Sequence, residues 1–315
     1  MFGNAASNAK KIDINLDSWV LSKATDISSM FYYFGRNATE WNVGTLANWN
    51  VSKVKDFTRV FSGAGQDSSS FVLDLSNWNV SSATDMSNMF NYGGAFSEVW
   101  SIGDISNWDV SRVTNMEGMF HYAGMQASTF NLDLSSWDIS SVTNLNRMFD
   151  RAGYAAQNWS IGDLSSWDVS NVTDMGVMFA AAGYISDRFF IGDLSSWDTS
   201  KVINMERMFE GTGSYSNNFV SIGTLVIPSN CNVSNFGWSD DLKNGSRAFS
   251  GNLVISGSLS NYANMLRMTA TNGNSRLNLY YDNSEAEAIV DELIGLYGPN
   301  GTVTQGKIYK IANAA

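Results

Sequence analysis

Carboxylates are the abundant reactive groups of this chain, and they recur at fixed places. Asp74, Asp104, Asp133, Asp163 and Asp193 stand a few residues before a tryptophan, and Asp109, Asp138, Asp168 and Asp198 directly follow one. A glycosidase needs a carboxylate pair in one place, whereas a pair repeated along the chain reads as architecture. Like charges about 5 Å apart at an effective dielectric near 20 repel by roughly 3 kcal/mol. Something must offset that: backbone amides donated at turns, spacing widened by curvature, or bound calcium, for which Asp104, Asp109, Asp163, Asp168, Asp193 and Asp198 are the candidate ligands. The turn reading takes precedence over the calcium reading.

The remaining reactive groups are sparse or lack partners. His121 is the only histidine, at a position that holds Tyr32, Ser62, Asn91, Asp150, Ala180 and Glu210 elsewhere, and reads as an exposed loop residue. With Cys231 the only cysteine, a histidine-based triad, a zinc site and a disulfide all lack their parts. Serines recur at Ser22, Ser52, Ser81, Ser111, Ser140, Ser170 and Ser200, but no base accompanies them, so they read as hydroxyls satisfying turns. The expectation is a protein that is not an enzyme and carries no catalytic residue.

What positions these groups is a repeat. Trp19, Trp49, Trp78, Trp108, Trp137, Trp167 and Trp197 recur every 29 or 30 residues. Phe31, Phe61, Phe90, Phe120, Phe149, Phe179 and Phe209 each follow at a constant distance, and a glycine, from Gly35 to Gly213, follows each phenylalanine. Such a period signals a stacked array. Apolar residues flank each tryptophan, as at Leu16 and Leu21 or Ile105 and Val110, and suggest short inward-facing extended pieces. Asp26, Asp56, Asp85, Asn115, Asn144, Asp174 and Asn204 each precede an apolar triple such as Met116, Met119 and Phe120, which predicts a capped short helix with Met as core filling, ended by the left-handed glycine. Trp41, Phe71, Trp100, Phe130, Trp159, Phe189 and Phe219 then open a strand, with an apolar residue two positions on. An extra Gly44, Gly103, Gly162 or Gly192 in the longer copies predicts a bulge.

The predicted fold is therefore a repeat solenoid, leucine-rich-repeat-like, with short strands plus short helices in each coil of 29–30 residues and a small α/β cap at the C-terminus. Residues 1–18 read as an N-terminal cap, 19–224 as seven repeats and 225–270 as degenerate repeats, with Pro228 in the tryptophan slot and Cys231 in the serine slot. Residues 271–315 read as a βαβ-like cap or docking domain, with strands near Leu277–Tyr281 and Lys307–Ile311 around a helix from Ser284 to about Tyr297.

Thirty acidic against 19 basic residues give a net charge of −11, which excludes a partner held by phosphate neutralisation and so argues against nucleic acid. No apolar run is long enough for membrane insertion as a spanning helix, and the first residues lack the pattern of a secretory signal.

The copies of L-S-x-W-D-V-S-x-V-T-x-M-x-x-M-F, as in Ile105 to Phe120 and Leu164 to Phe179, resemble the BspA-like leucine-rich repeat family over about Asp13 to Thr224. The resemblance implies a non-catalytic solenoid, similar to bacterial surface proteins that mediate adhesion and to phage structural proteins with related repeats. The absence of a visible signal, lipid-attachment cysteine or anchor tips the expectation toward a virion component (fibre, tail or capsid decoration), with a bacterial cell-surface adhesin as the alternative, so the expected location is a virion or an extracellular surface. Variable segments after each glycine would carry recognition of protein partners, with His121, Tyr122, Met125, Tyr154, Tyr184, Arg188 and Tyr215 as binding-surface candidates. A lectin-like, glycan-binding module is the remaining alternative, resting on the aromatic column from Trp41 to Phe219, and unpaired sheet ends make a homo-oligomer plausible.

Overall fold

The structure is a computed structural model; it describes residues 1–213, 220–228 and 231–233 and the strands 249–255, 276–281 and 308–310. Ile12 and the aromatics Trp41, Phe71, Trp100, Phe130 and Trp159 each form the centre of a three-residue strand, whereas beside Phe189 only an isolated bridge from Arg188 to Asn158 forms. These strands are β1 (Lys11–Asp13), β2 (Glu40–Asn42), β3 (Ser70–Val72), β4 (Val99–Ser101), β5 (Thr129–Asn131) and β6 (Asn158–Ser160). In all six the central side chain is buried and its neighbours point outward or lie at the rim, as period-two alternation requires. β1 pairs with β2, β3 with β4 and β5 with β6, all parallel, each residue opposite its equivalent one repeat later. On another side of each repeat, isolated parallel bridges join Asp26, Asp56, Asp85, Asn115, Asn144, Asp174, Asn204 and Asn232 in succession.

The predicted short helices are not there: among the described residues no α-helix occurs, and a single 3₁₀ turn spans Leu194–Ser196. From Asp26 to Asn204, the segment after each of these Asp or Asn residues is instead a ribbon of consecutive turns. In the fourth repeat Gly118, Phe120 and Tyr122 donate their amides to Asn146, Met148 and Asp150 of the next repeat, at 2.8 to 2.9 Å. The amides in between stay local, with Met119, His121 and Ala123 bonding to the carbonyls of Met116, Gly118 and Phe120. A helix needs every amide to reach back four residues; here the backbone turns left-handed at Gly118, Tyr122 and Gly124 (φ of 58°, 56° and 50°), which swings alternate amides sideways onto the neighbouring repeat. Equivalent left-handed residues recur throughout, among them Arg59, Asn88, Arg147, Val177 and Arg207 at the first position and Tyr33, Gly63, Tyr92 and Arg151 at the second. The apolar spacing misled because a turn ribbon also directs Met116, Met119, Phe120 and Ala123 inward, and all four are buried.

The Asp and Asn residues expected to cap helices keep the same hydrogen bond in a different setting. Each side chain accepts the amide two residues on, as Ser28 to Asp26 (2.7 Å), Asn146 to Asn144 (2.9 Å) and Gly176 to Asp174 (2.8 Å). That is an Asx turn rather than an N-cap.

The third left-handed position is always glycine because space, more than φ, demands it. A Cβ on Gly124 would lie 2.8 Å from Cγ of Trp100, and one on Gly153 only 2.4 Å from Cβ of Phe130, the strand aromatic of the repeat before. The extra glycine of the longer repeats is also left-handed, at φ of 80° to 92° for Gly44, Gly103, Gly162 and Gly192 once Gly44 is included at 87°. Registers of 29 at Asp13↔Asn42 become 30 by Leu16 and Leu46, so one residue is inserted between them, the bulge expected there.

One continuous apolar core runs through the repeats. Phenylalanines stack with ring centroids 5.3 to 5.6 Å apart from Phe31 to Phe209. Trp49, Trp78, Trp108, Trp137, Trp167 and Trp197 each donate the indole N–H to the carbonyl of the leucine or isoleucine one repeat back, as Trp137 to Ile105 at 3.0 Å. These bonds satisfy a polar handle that would otherwise be costly in the core.

At the C-terminal side, β7 (Val220–Ile227), β8 (Phe249–Ile255), β9 (Arg276–Tyr281) and β10 (Ile308–Lys310) form a parallel sheet in that order, with a register shift between Ser221 and Thr224. Leu225 keeps its core slot in β7. β9 and β10 are the two strands expected near 277–281 and 307–311, while β8 had no counterpart in the pattern reading. The expected helix from Ser284 lies outside the described residues.

Candidate protein-binding face

The left-handed positions of the turn ribbon differ in exposure: the third is a glycine closed against the core, whereas the first exposes Arg59 and Arg147. In successive repeats the second such position carries Tyr33, Gly63, Tyr92, Tyr122, Arg151 and Ala181, preceded by Tyr32, Ser62, Asn91, His121, Asp150 and Ala180. Stacking of the repeats sets these side chains directly against one another.

In the middle of the array they form a compact polar and aromatic cluster. Tyr92 and Tyr122 stack in parallel with centroids 4.3 Å apart. His121 meets both rings edge-on, at 5.6 and 4.6 Å, and its Nε2 lies 3.1 Å from Oδ2 of Asp150. Asp150 is buried, and its second oxygen accepts from Arg151 at 3.1 Å, while the Arg151 guanidinium sits 5.1 Å from the Tyr122 ring. His121 is thus not the exposed loop residue expected: its side chain retains 14% of its accessibility, because Asp150 of the next repeat stacks against it. Burial, reinforced by the neighbouring Tyr122, pushes the Tyr92 phenol up to about 12, so it stays a neutral hydrogen-bonding group.

The position after the third left-handed residue carries Arg36, Gln66, Ala95, Met125, Tyr154 and Tyr184, with Gln66 and Ala95 buried. Tyr154 and Tyr184 stack at 4.5 Å with planes 8° apart; Tyr184 is buried and Met125 half-buried. At the N-terminal end Tyr33 lies over Gly63, where a Cβ would strike its ring, with Tyr32 at 4.4 Å and the Arg36 guanidinium at 5.0 Å. Arg207 and Glu210 pair farther along. The structure therefore brings together His121, Tyr122, Met125, Tyr154 and Tyr184 on the ribbon. Arg188 is exposed on another side, bridged in strand fashion with Asn158 and 5.4 Å from the Phe190 ring, and Tyr215 lies outside the described residues. The pattern reading missed Tyr33, Tyr92, Asp150 and Arg151. Column alignment already held the signal, since Tyr33, Tyr92, Tyr122 and Arg151 share one repeat position.

The Asp columns have a different fate. Oδ1 of Asp74, Asp104, Asp133, Asp163 and Asp193 accepts the amide of the serine two residues on, at 2.9 to 3.2 Å, and Asp109, Asp138, Asp168 and Asp198 do the same. Serine hydroxyls add to this at Asp109 (Ser111, 2.6 Å). Hydrogen bonds from Ser111, Ser170, Ser195 and Ser200 hold the carboxyls of Asp109, Asp168, Asp193 and Asp198 below the usual carboxylate value, and the Ser106 amide does so for Asp104. The recurring serines are thus donors to the turn carboxylate as well as turn amides. Among the described residues no group of three or more side chains is arranged to hold a metal ion. For calcium, each of the six candidate carboxylates has one oxygen already engaged in its own turn.

The aromatic column that prompted a glycan reading faces inward. Trp41, Phe71, Trp100, Phe130, Trp159 and Phe189 are all buried, the most accessible being Trp41 at 7%, and they stack on one another at 4.5 to 6.5 Å. Their faces are closed to a sugar ring. Phe219 lies outside the described residues.

Short parallel strands, turn ribbons and hydrogen-bonded ladders repeated at 29 or 30 residues define a repeat protein whose outward individuality is concentrated on the ribbon. The chain belongs to the family described as "Mycoplasma protein of unknown function, DUF285", which it matches over residues 1–102, 69–182 and 154–253. Successive matches overlap, as a sequence of stacked equivalents would produce, and the last continues past the seventh tryptophan repeat into the strand β8 region. No curated protein and no solved structure matches the chain.

Proposed function

We propose that this protein is a non-enzymatic solenoid scaffold for protein–protein attachment, with the turn ribbon as its recognition face. The observation that carries the reading is the contrast between columns: the tryptophan, phenylalanine and leucine columns are spent on the core and the Asp and Asn columns on turns. Tyrosine, arginine, histidine and methionine vary along the ribbon on a backbone tied to both neighbours. Tyr and Arg anchors on a rigid frame are the chemistry of protein recognition. The His121–Asp150 pair resembles half of a base–orienter arrangement, but among the described residues no side-chain nucleophile is bonded to His121: Cys231 lies in a later repeat, buried, with its thiol pushed up to about 12 by burial. The resemblance to BspA-like repeats supports the same reading, as a virion component or as a bacterial cell-surface adhesin.

The test places a photo-crosslinking residue at Tyr122 on the ribbon and, separately, at Asn107 on the turn beside Trp108, in the native source. Cross-links to a protein of the virion or of the cell envelope, concentrated at the ribbon position, are expected. Equal or absent cross-linking at the two positions refutes the assignment of the face, and mass spectrometry of the cross-linked partner separates virion from envelope.

A further inference from the structure

We propose that Asn50 and Asn79 are acceptors for N-linked glycosylation, carrying sugar on the turns that follow Trp49 and Trp78. The site lies off the ribbon, and the inference stands independently of the attachment reading.

Within residues 1–213 the triplet Asn-x-Ser/Thr, the acceptor signature of this modification, occurs at Asn37, Asn50, Asn79, Asn158 and Asn171. A chain rich in asparagine and serine holds such triplets by composition, so geometry has to select among them. Asn37 is half-buried and donates Nδ2 to Oδ1 of Asn8 at 3.3 Å, while the hydroxyl of Thr39 goes to the Lys10 carbonyl. Asn171 donates Nδ2 to the Ser140 carbonyl at 2.8 Å and accepts from Lys201, and the Thr173 hydroxyl bonds the Thr143 carbonyl. Asn158 lies in β6, paired with β5 on one side and bridged to Arg188 on the other. Each of these three is tied by side chain or backbone to a neighbouring coil.

Only Asn50 and Asn79 close their triplets on themselves. In both, Oδ1 accepts the amide of the serine two residues on at 3.1 Å and its hydroxyl at 2.7 Å. This Asx turn engages the amide oxygen and the hydroxyl with each other and turns Nδ2 to the outside. Both asparagines are exposed, and neither Nδ2 donates to a protein acceptor among the described residues. A groove of about 320 Å³ lined by Asn48, Asn50, Asn77 and Asn79 leaves room beside them, so a sugar attaches without breaking a bond of the turn. The same slot in later coils holds Asp109, Asp138, Asp168 and Asp198, each bonded to the serine amide two residues on. Either residue type makes the turn, but only asparagine offers a nitrogen, which confines the acceptor chemistry to these two coils.

The co-substrate is a sugar activated as a phosphate ester on a nucleotide or on a lipid carrier. Nδ2 bonds to C1 of the sugar as the C1–O bond to phosphate breaks; the phosphate leaves with the electron pair, and the amide gives one proton to a base of the transferase.

Peptide mass spectrometry of the chain from its native source should find sugar on Asn50, Asn79 or both, and none on Asn171. A single sugar or a chain grown sugar by sugar assigns the donor to a nucleotide, and a preassembled oligosaccharide assigns it to a lipid carrier. Asn50→Asp/Asn79→Asp, made in the same source, should lose the modification and keep the fold, because Asp109 already makes both serine bonds, at 3.2 and 2.6 Å. Asp109→Asn should gain sugar at that position, since Ser111 completes the triplet in the same turn. Bare Asn50 and Asn79 overturn the inference, as does occupancy of Asn171 equal to theirs, or an Asp109→Asn chain that stays bare at that position while Asn50 or Asn79 carries sugar.

Discussion

Replacing Gly153 by alanine isolates the force that fixes the closest approach between repeats. Gly153 has φ of 52°, and its absent Cβ would lie 2.4 Å from Cβ and 2.8 Å from Cγ of Phe130 and 2.9 Å from Cδ1 of Trp159. The left-handed backbone costs an alanine about 1 kcal/mol. Pushing back two stacked aromatics in a closed core adds about 1–3 kcal/mol, for a total of about 2–4 kcal/mol. Val177 supplies the control: it is left-handed too, at φ of 60°, and β-branched, but only partly buried, and Gly118 holds the equivalent place. Val177→Gly should therefore be neutral or stabilising by up to about 1 kcal/mol. Urea denaturation gives both differences, and hydrogen exchange at the Gly153 amide, which donates to Ala123 at 3.0 Å, reports whether the loss is local, as stacked repeats allow. A Gly153→Ala change within about 0.5 kcal/mol of the parent, or a penalty equal in size for Val177→Gly, would show that close packing does not dictate the glycine.

Trp100→Ala empties a buried ring slot and removes the indole bond to Gly93 at 3.1 Å, so it should cost about 3–5 kcal/mol in denaturant titrations; unchanged stability would reopen an outward role for that column. Hydrogen-bonded Asp104, Asp109, Asp168, Asp193 and Asp198 sit below their ordinary 3.8 in the folded state, so the stability they add is complete above that value and is lost as pH falls through their lower folded values. Converting Asp109, Asp168 and Asp198 together to asparagine should flatten the acid limb of a melting-temperature profile, and an unaltered limb would assign acid loss to other groups. Cys231 is buried with its thiol near 12, so a thiol reagent at pH 8 should react only after unfolding; rapid labelling of the native chain would place that repeat nearer solvent than described.

The sequence alone determined the period, which columns are apolar, and which residues sit at equivalent places. Those follow from composition repeated in register: a buried tryptophan or phenylalanine must recur wherever the core recurs, and a turn carboxylate wherever the turn does. It also marked His121, Tyr122, Met125, Tyr154 and Tyr184 as the individual residues on a constant frame. The conformation of the segment after each Asx residue was decided only in three dimensions. Met116, Met119 and Phe120 satisfy helical spacing, and Asn115 satisfies a helix cap, yet a helix would keep its amides to itself. Stacked repeats offer Gly118, Phe120 and Tyr122 carbonyl partners on the next coil, and those bonds exist only once the neighbour is in place. The same dependence hid the site. His121 and Asp150 are 29 residues apart and look unrelated along the chain, but one repeat of stacking sets them 3.1 Å apart. Local sequence carries what each coil must bury, while the hydrogen bonds and ion pairs between coils belong to the stack.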